Sequence, residues 1–284
     1  MLISKNGYIL KNISKGCTMP KKIRLCLGGS EGRMGRIIQT LSIKTDDIKV
    51  IYGFDPKKKD LKSLSDVFSL EEKINEKVDV YLDFTNPTAV LENVSLALKA
   101  GIDSVIGTTG WYNRIDEVKT LAKKYDQRIL YASNFSPGVN VLFYLTQEAA
   151  RLLGKFNYDA TVREVHHIGK VDAPSGTAIT LGNILLKELK NKTRLTHIRK
   201  DKRGETEIDV LGQRVGLVAG QHEIWFTPKE SYSERLILQH DTLSPEILGI
   251  ATLKGVRWIV EAKREQKPAG LYNFYEDVLG LGKL

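Results

Sequence analysis

The chain has 284 residues, of which 42% are hydrophobic and 27% charged, and its formal net charge is +9 at pH 7. This length and balance predict a folded protein with room for two domains. No apolar run approaches the roughly 18 residues that cross a bilayer, and no signal-like core stands near the start, so we expect a cytoplasmic protein without a membrane partner. The basic residues are dispersed among acids and accompany no nucleic-acid motif, which argues against a nucleic-acid partner.

Neither the start of the chain nor its two cysteines indicates a catalytic or metal-binding site. Residues 1–20 contain lysines but no acid and look like a tail, for which a targeting peptide and an upstream start codon ahead of Met19 both stay open. Cys17 and Cys26 lack a CxxC or metal-ligand spacing. We therefore expect reduced, structural thiols and no metal site.

From residue 22 onward, short apolar runs alternate with helical patterns. The candidate strands are 23–27, 48–54, 78–84, 104–106 and 128–131. Helical patterns intervene at about 33–41, 87–100 and 112–125. Such alternation predicts an α/β domain, a doubly wound parallel sheet with helices on both faces, over residues 21–134.

The second half of the chain has a different pattern. Residues 133–138 carry turn chemistry and lead into an apolar helix over 141–153, so we place the domain junction there. Strand-like runs follow at 206–211, 215–218, 222–227 and 234–239. They predict a mostly antiparallel sheet with a helix on one side, an α+β domain over 135–244. Helical spacing returns afterwards, and we expect residues 245–284 to pack back on the first domain.

A glycine-rich turn follows the first candidate strand directly. Its frame Gly29-x-x-Gly32-x-x-Gly35 is a variant of the dinucleotide fingerprint, in which glycines let backbone amides approach a pyrophosphate at a helix start. The position after the first strand of an alternating pattern favours nucleotide binding over an ordinary turn. The predicted cofactor-binding residues here are Gly29, Ser30, Glu31, Gly32, Arg33 and Met34.

Further cofactor contacts are predicted at the ends of later strands. Asp55 ends the second strand, where an acid would accept hydrogen bonds from an adenosine ribose. Lys57 and Lys58 follow and could neutralise a ribose phosphate, so the residues leave both NADH and NADPH open. Two other loops would lie at the carboxyl edge of the sheet, near the nicotinamide. Their residues are Gly107, Thr108, Thr109, Ser133, Asn134 and Phe135.

The stretch 164–177, Glu-Val-His-His-Ile-Gly-Lys-Val-Asp-Ala-Pro-Ser-Gly-Thr, is the most informative part of the chain. Strand-like residues flank the histidines and a helix-start signature ends the stretch, which predicts strand, loop and helix. Free backbone N–H groups at Gly176 and Thr177 can hold a carboxylate, and Lys170 adds a full positive charge. This combination indicates a site for a doubly charged acid.

Together, four motifs resemble the 4-hydroxy-tetrahydrodipicolinate (dihydrodipicolinate) reductase family over residues 21–284. They are the glycine turn, the Gly-Thr-Thr-Gly loop, the Asn-Phe-Ser-Pro-Gly junction and the His-His-x-x-Lys-x-Asp-Ala-Pro-Ser-Gly-Thr segment. The resemblance implies reduction of a cyclic dicarboxylic acid with NADH or NADPH in the diaminopimelate route to lysine. It also implies a Rossmann-like domain, a smaller substrate-binding and oligomerisation domain, and a homotetramer.

The resemblance assigns roles within the stretch 164–177. It implies that His166 is the catalytic acid/base and Lys170 the proton donor. His167, Gly176 and Thr177 match substrate-binding positions. The glycine turn, the second strand end and the two later loops match the family's pyrophosphate, ribose and nicotinamide contacts.

Two departures and two alternatives accompany this interpretation. Gly220-Gln221-His222 stands where the family has Gly-Glu-His, and no arginine follows Ser244, where the family has a Ser-Arg pair. Another two-domain nicotinamide oxidoreductase would share the cofactor fold, because fold does not fix function. A non-catalytic dinucleotide sensor is the other alternative, although a sensor has no need of a histidine and a lysine beside an anion-binding helix start.

Overall fold

The structure is a computed structural model that describes residues 22–74, 76–197, 203–231 and 233–282. The tail predicted for residues 1–20 lies outside these ranges. Within them, no helix is both long enough and apolar enough to cross a membrane.

The first half of the chain forms the predicted parallel sheet. Its strands are β1 (Ile23–Gly28), β2 (Ile48–Phe54), β3 (Val80–Asp83), β4 (Asp103–Ile106) and β5 (Arg128–Tyr131). The helices between them are α1 (Arg33–Ile43), α2 (Leu64–Ile74), α3 (Val90–Lys99) and α4 (Ile115–Lys124). Both β3 and β4 are buried along their whole length, because helices cover both faces of the sheet. Helix α2 was not predicted from the sequence.

The second domain packs two helices on one face of a five-stranded sheet. Its elements are α5 (Pro137–Leu153), β6 (Tyr158–His166), α6 (Gly176–Glu188), β7 (Arg194–Thr196), β8 (Glu207–Arg214), β9 (Gly220–Pro228) and β10 (Leu236–Thr242). The strand order is β10-β9-β6-β8-β7. Apolar side chains of α5 and α6 form one core with the inner faces of β6, β8 and β9.

The pairing in this sheet corrects the prediction of a mostly antiparallel sheet. β6 and β9 are antiparallel, as are β9 and β10, but β8 lies parallel to both β6 and β7. Helix α6 is the reason, since it crosses over the sheet between β6 and β8, and a parallel pair requires such a crossover. The run 215–218 is a turn and not a strand.

The end of the chain returns to the first domain. Helix α7 (Glu246–Arg264) packs its buried face against the first sheet and contacts α1. It is followed by β11 (Gly270–Asn273), which pairs parallel with β5 and completes the order β11-β5-β4-β3-β1-β2. The carboxyl ends of these strands therefore face the second domain's site across a cleft.

Candidate active site

A cavity of about 930 Å³ lies between the two domains and gathers all the predicted catalytic and substrate-binding residues. Loops after β4 and β5 line it from the first domain, and the loop after β6 and the start of α6 line it from the second. The predicted residues on its wall are Arg33, Thr109, Ser133, Asn134, His166, His167, Lys170, Gly176 and Thr177.

The other predicted cofactor residues do not line this cavity. A smaller cavity of about 150 Å³ shares Ser133 and Asn134 with the first and is also lined by Met34, Gly107 and Phe135. The predicted residues that line neither of these two cavities are Gly29, Ser30, Glu31, Gly32, Asp55 and Thr108. They form the turn after β1, the end of β2 and the loop after β4.

The glycine turn has the backbone that a dinucleotide requires. Gly29 has φ of +72°, and a Cβ atom there would lie 2.2 Å from the carbonyl oxygen of Phe84. Only glycine fits such a position. The residue before α1 is Gly32, which makes no side-chain cap to the helix, so the first N–H groups of α1 keep no capping partner from it. The turn therefore fits a pyrophosphate held by backbone amides.

Asp55 ties this turn to the end of β2. Its Oδ2 accepts the backbone N–H of Glu31 at 3.2 Å, and its Oδ1 accepts that of Lys57 at 3.0 Å. Each carboxylate oxygen keeps a further lone pair for a ribose hydroxyl. The ammonium of Lys58 is directed back to the strand, where it donates to the carbonyl oxygen of Gly53 at 2.6 Å.

Asp83, at the end of β3, organises the loops on both sides of it and was not predicted. It is fully buried, and its carboxylate accepts the hydroxyl of Thr108 at 2.5 Å, that of Thr85 at 2.8 Å and that of Tyr81. The hydroxyl of Thr108 is therefore engaged inside the protein. Its backbone remains beside the smaller cavity through Gly107.

A hydrogen bond between Asn134 and Thr177 joins the two domains across the main cavity. The Nδ2 of Asn134 donates to Thr177 Oγ1 at 3.2 Å, while Asn134 Oδ1 accepts the N–H of Ser136 at 2.8 Å. Asn134 follows the last strand of the first domain's predicted pattern, and Thr177 lies in the first turn of α6. The predicted nicotinamide loop and the predicted anion site are thus in direct contact.

The second domain's side of the cavity is built by strand alternation. Along the inner face of β6 the buried side chains change from Ala160 and Val162 to Glu164 and His166. The antiparallel neighbour β9 shows the same change, and its His222 pairs with Glu164 in register. Parallel pairing with β8 places Arg214 opposite His166. The core face of the sheet therefore becomes polar where three strands reach the cleft.

Glu164 lies at the centre of this polar cluster, and its side chain is fully buried. Its Oε1 accepts the backbone N–H of Ser175 at 2.8 Å and a hydrogen bond from Arg214 Nη2 at 3.3 Å. Its Oε2 lies 3.4 Å from His166 Nδ1 and 3.6 Å from His222 Nε2. Burial alone would raise the pKa of Glu164, but the nearby His222 ring and the hydrogen bond from the Ser175 N–H outweigh it and lower the pKa to about 2. The carboxylate is therefore ionised at neutral pH.

His166 is neutral at the same pH. Burial is the largest cause and, together with His222, Lys170 and Arg214, lowers its pKa to about 4 against the opposing effect of the Glu164 carboxylate. The Nε2 atom lies on the other edge of the ring, where a Cβ atom at Gly220 would approach it to 3.1 Å. Since Gly220 and His166 line the same cavity, Nε2 is the edge available for proton transfer.

Lys170 enters the cavity from the loop between β6 and α6. Its ammonium lies 2.7 Å from Asp172 Oδ1, and the side chain is partly exposed. The Arg214 guanidinium holds the same loop by donating from Nε to the carbonyl oxygen of Lys170 at 3.2 Å. Lys170 is therefore a positioned cation whose carboxylate partner faces solvent.

The start of α6 completes the cationic wall. Ser175 caps the helix, since its Oγ accepts the N–H of Ala178 at 3.2 Å. The next two residues, Gly176 and Thr177, line the cavity. The first N–H groups of a helix have no intrahelical acceptor and carry partial positive charge, so this wall can hold a carboxylate.

Among the described residues, Glu164, His166 and His222 place potential metal-binding atoms within 4.8 Å of one another. The carboxylate of this group already bonds a guanidinium and a backbone N–H, so a dication would compete with both. A network of hydrogen bonds accounts for the arrangement. The absence of a metal site stays a prediction.

Comparisons with known proteins give consistent results. The family model described as dihydrodipicolinate reductase, N-terminus, matches residues 23–135, and the one described as dihydrodipicolinate reductase, C-terminus, matches residues 138–279. A 4-hydroxy-tetrahydrodipicolinate reductase of Aquifex aeolicus is 34% identical over 91% of this chain and 99% of its own length. One of Archaeoglobus fulgidus is 31% identical over 85% of this chain and 96% of its own.

Solved structures agree on the fold. A dipicolinate-bound dihydrodipicolinate reductase from Paenisporosarcina sp. TG-14 aligns with a TM-score of 0.65 at 23% identity, covering 90% of this chain and 99% of that chain. A C. glutamicum DAP dehydrogenase in complex with DAP aligns with a TM-score of 0.54 at 12% identity, covering 92% and 95%. At these identities the likeness concerns the fold alone, and it confirms the predicted Rossmann-like domain with a second α+β domain.

Proposed function

This chain belongs to the dihydrodipicolinate reductase family, and on that premise we propose how its own residues carry out the reaction. The reaction is the NAD(P)H-dependent reduction of 4-hydroxy-tetrahydrodipicolinate in the diaminopimelate route of lysine biosynthesis. The observation that carries the proposal is a single cavity, shared between strand-end loops of a dinucleotide-binding domain and a cationic wall of the second domain.

The first domain would hold the cofactor. The turn at 29–34 takes the pyrophosphate, Asp55 takes the adenosine ribose, and the loops at 107–109 and 133–135 take the nicotinamide half. Support comes from Gly29, whose close packing against the Phe84 backbone leaves no room for a side chain in the turn, and from the free helix start that follows it. When bound, the cofactor supplies a hydride.

Both NADH and NADPH serve as reductants in this proposal. Asp55 suits an unphosphorylated ribose, whereas the exposed side chain of Lys57 suits a ribose phosphate. Lys58 does not contribute, because its ammonium is engaged by a strand carbonyl. Initial-rate measurements with each cofactor at saturating substrate test this point, and a KM ratio above about 100-fold would restrict the proposal to one cofactor.

The second domain would hold the cyclic dicarboxylate. One carboxylate lies at the start of α6, on the N–H groups of Gly176 and Thr177, and the other meets Lys170 and His167. These four residues line one wall of the cavity. Lys170 exchanges the exposed carboxylate of Asp172 for that of the substrate, so its ammonium keeps a carboxylate partner when the substrate binds.

The proton chemistry falls to His166 and Lys170. Hydride addition to an electron-poor carbon conjugated with a ring imine leaves negative charge, which a proton must quench. His166 presents Nε2 to the cavity, and its imidazole is neutral in the free protein. A bound dianion favours its protonated form, so substrate binding recruits the proton that the reaction consumes. Lys170 lies on the same wall as a second donor.

We further propose a cytoplasmic homotetramer. Large apolar side chains are exposed on α5 and on the edge strand β10, where a second copy would cover them. They are Val141, Tyr144, Leu145, Leu236 and Ile237. Light scattering coupled to gel filtration tests the assembly, and a monomer at micromolar concentration would contradict it.

The experiment that tests the function follows nicotinamide absorbance. The purified protein is mixed with freshly made condensation product of the upstream synthase and with NADH or NADPH. We expect rapid cofactor oxidation that depends on the dicarboxylate. No oxidation with either cofactor, from protein that binds the cofactor by fluorescence titration, would contradict the assignment.

A further inference from the structure

The residue that the proposed chemistry leaves without a role is Glu164. Its side chain is fully buried and does not line the cavity, so it does not touch substrate or cofactor. A buried carboxylate is costly unless its partners compensate for the loss of water. Its position beneath His166 therefore calls for an explanation in terms of its neighbours.

Two buried atoms face one another at this point. Glu164 Oε2 and His166 Nδ1 each have no well-aligned hydrogen-bond partner, yet they lie 3.4 Å apart. A proton on Nδ1 satisfies both atoms with a small rotation of the ring, because an ionised carboxylate can only accept. The neutral imidazole then carries no proton on Nε2, the edge beside Gly220.

The negative charge of Glu164 favours a protonated His166 ring, as its position beside Nδ1 does. Burial, His222, Lys170 and Arg214 all disfavour a second proton on the His166 ring, and the carboxylate is the group that opposes them. The groups facing this pair are His222 from β9, Arg214 from β8, and Lys170 and Asp172 from the loop before α6. Behind them, His240 of β10 lies opposite His222.

The second carboxylate oxygen fixes the anion site. Glu164 Oε1 accepts the N–H of Ser175, which caps α6, and a hydrogen bond from Arg214, which holds the Lys170 loop. One buried side chain therefore connects the imidazole, the helix start and the lysine loop.

We propose that Glu164 is a positioning residue, which holds His166 as the Nδ1–H tautomer and supplies the counter-charge under which Nε2 takes up the reaction's proton. The inference rests on the proposed role of His166. It adds that the imidazole is orientated from beneath by a group that never meets the substrate.

The test uses Glu164→Gln, which keeps the shape but removes the charge, and Glu164→Asp, which keeps the charge but shortens the reach. Glu223→Gln is the matched control. Glu223 lies on β9 next to His222, points to the other face of the sheet and pairs with Arg163 at 3.1 Å. We expect this control to leave turnover unchanged.

For Glu164→Gln we expect kcat to fall about tenfold or more at pH 7.5, since one unit of pKa is a tenfold change in the protonated fraction. The KM for the dicarboxylate should stay equal or decrease, because a negative charge near the dianion is removed. The alkaline limb of the kcat profile should move to lower pH. Glu164→Asp should recover part of both effects. A purely structural role would instead raise KM and lower the melting temperature without moving the pH profile.

A measurement independent of activity separates this inference from the proposed function. Long-range ¹⁵N–¹H NMR spectra of imidazole-labelled protein report the tautomer of each histidine without substrate. We expect the His166 Nδ1–H form in the wild type and a mixture of tautomers in Glu164→Gln. A wild-type Nε2–H form, or a Glu164→Gln profile identical to the wild type, overturns the inference. An inactive wild type with the Nδ1–H form overturns the proposed function alone.

Discussion

The two domains build their parts of the predicted site in opposite ways, a backbone wall in the first domain and a side-chain wall in the second. The first domain offers backbone, in a turn whose Gly29 admits no side chain and whose helix start has no cap. The second domain offers side chains, with Glu164, His166 and Lys170 placed by strand register and a loop. In the proposed function, this difference means that cofactor recognition would depend mainly on close approach of the main chain, whereas substrate chemistry would depend on charge.

The largest expected effect lies on the side-chain wall. His166→Gln should lower kcat about 100-fold or more, because it removes a proton-transfer group and leaves the wall otherwise intact. Stopped-flow measurement of cofactor oxidation checks this. Cofactor affinity by fluorescence should not change, and a variant that retains wild-type turnover would contradict the role of His166.

On the backbone wall, a substitution should weaken cofactor binding, whereas on the side-chain wall it lowers kcat. Gly29→Ala places a Cβ atom 2.2 Å from the Phe84 carbonyl, so the turn must shift and the cofactor Kd should rise about tenfold or more. Gly101→Ala is the control, since Gly101 has a similar φ of +76° but open space around it. Equal cofactor affinities for Gly29→Ala and Gly101→Ala would contradict the expectation that close packing of Gly29 against Phe84 is needed for cofactor binding.

An intermediate effect is expected at Gly220, where a backbone position lies against the His166 side chain. A methyl group in Gly220→Ala would lie 3.1 Å from His166 Nε2, so the ring must give way by a few tenths of an ångström. We expect kcat to fall about three- to tenfold, with cofactor Kd unchanged, since small misplacements of a reacting group are costly. Steady-state kinetics and cofactor titration measure both values; a rise in cofactor Kd would assign Gly220 to the backbone wall instead.

The smallest expected effect is the uptake of protons when a dicarboxylate binds. Because the pKa of His166 is about 4 in the free protein and a bound dianion raises it, binding of pyridine-2,6-dicarboxylate near pH 6.5 should take up as much as one proton per site. Because the complex binds more protons than the free protein, the affinity for the dicarboxylate should weaken as the pH rises. Calorimetry in buffers of different ionisation enthalpy measures the uptake. Persistence of the uptake in His166→Gln would assign the proton to another group.

Sites whose residues lie close together in the sequence were predicted, whereas contacts between residues of separate elements were missed. The glycine turn and the stretch 164–177 each place their residues within a few positions, so spacing alone indicated a helix start and an anion site. The contribution of Arg214 depends on the parallel pairing of β6 with β8, and no local pattern reports that pairing. Asp83 is one acid at the end of a short strand, and its role depends on a threonine 25 residues later.

The missed fold elements have related causes. Helix α2 begins with a short capping box that was missed behind a lysine-rich loop: Ser63 Oγ accepts the N–H of Asp66 at 3.3 Å, and Asp66 Oδ2 accepts the N–H of Ser63 at 2.9 Å. Strand β11 is four residues long and half-buried throughout, because it lies at the edge of the sheet. Short edge strands carry too little alternation to be distinguished from a turn.

The hydrogen bond between Asn134 and Thr177 has a thermodynamic consequence. A hinge motion that widens the cleft at this point breaks it, and a motion that narrows the cleft re-forms it. Whichever ligand arrives first and favours the narrow form makes that bond more populated. By reciprocity, the dinucleotide and the dicarboxylate must then alter each other's affinity by one common factor.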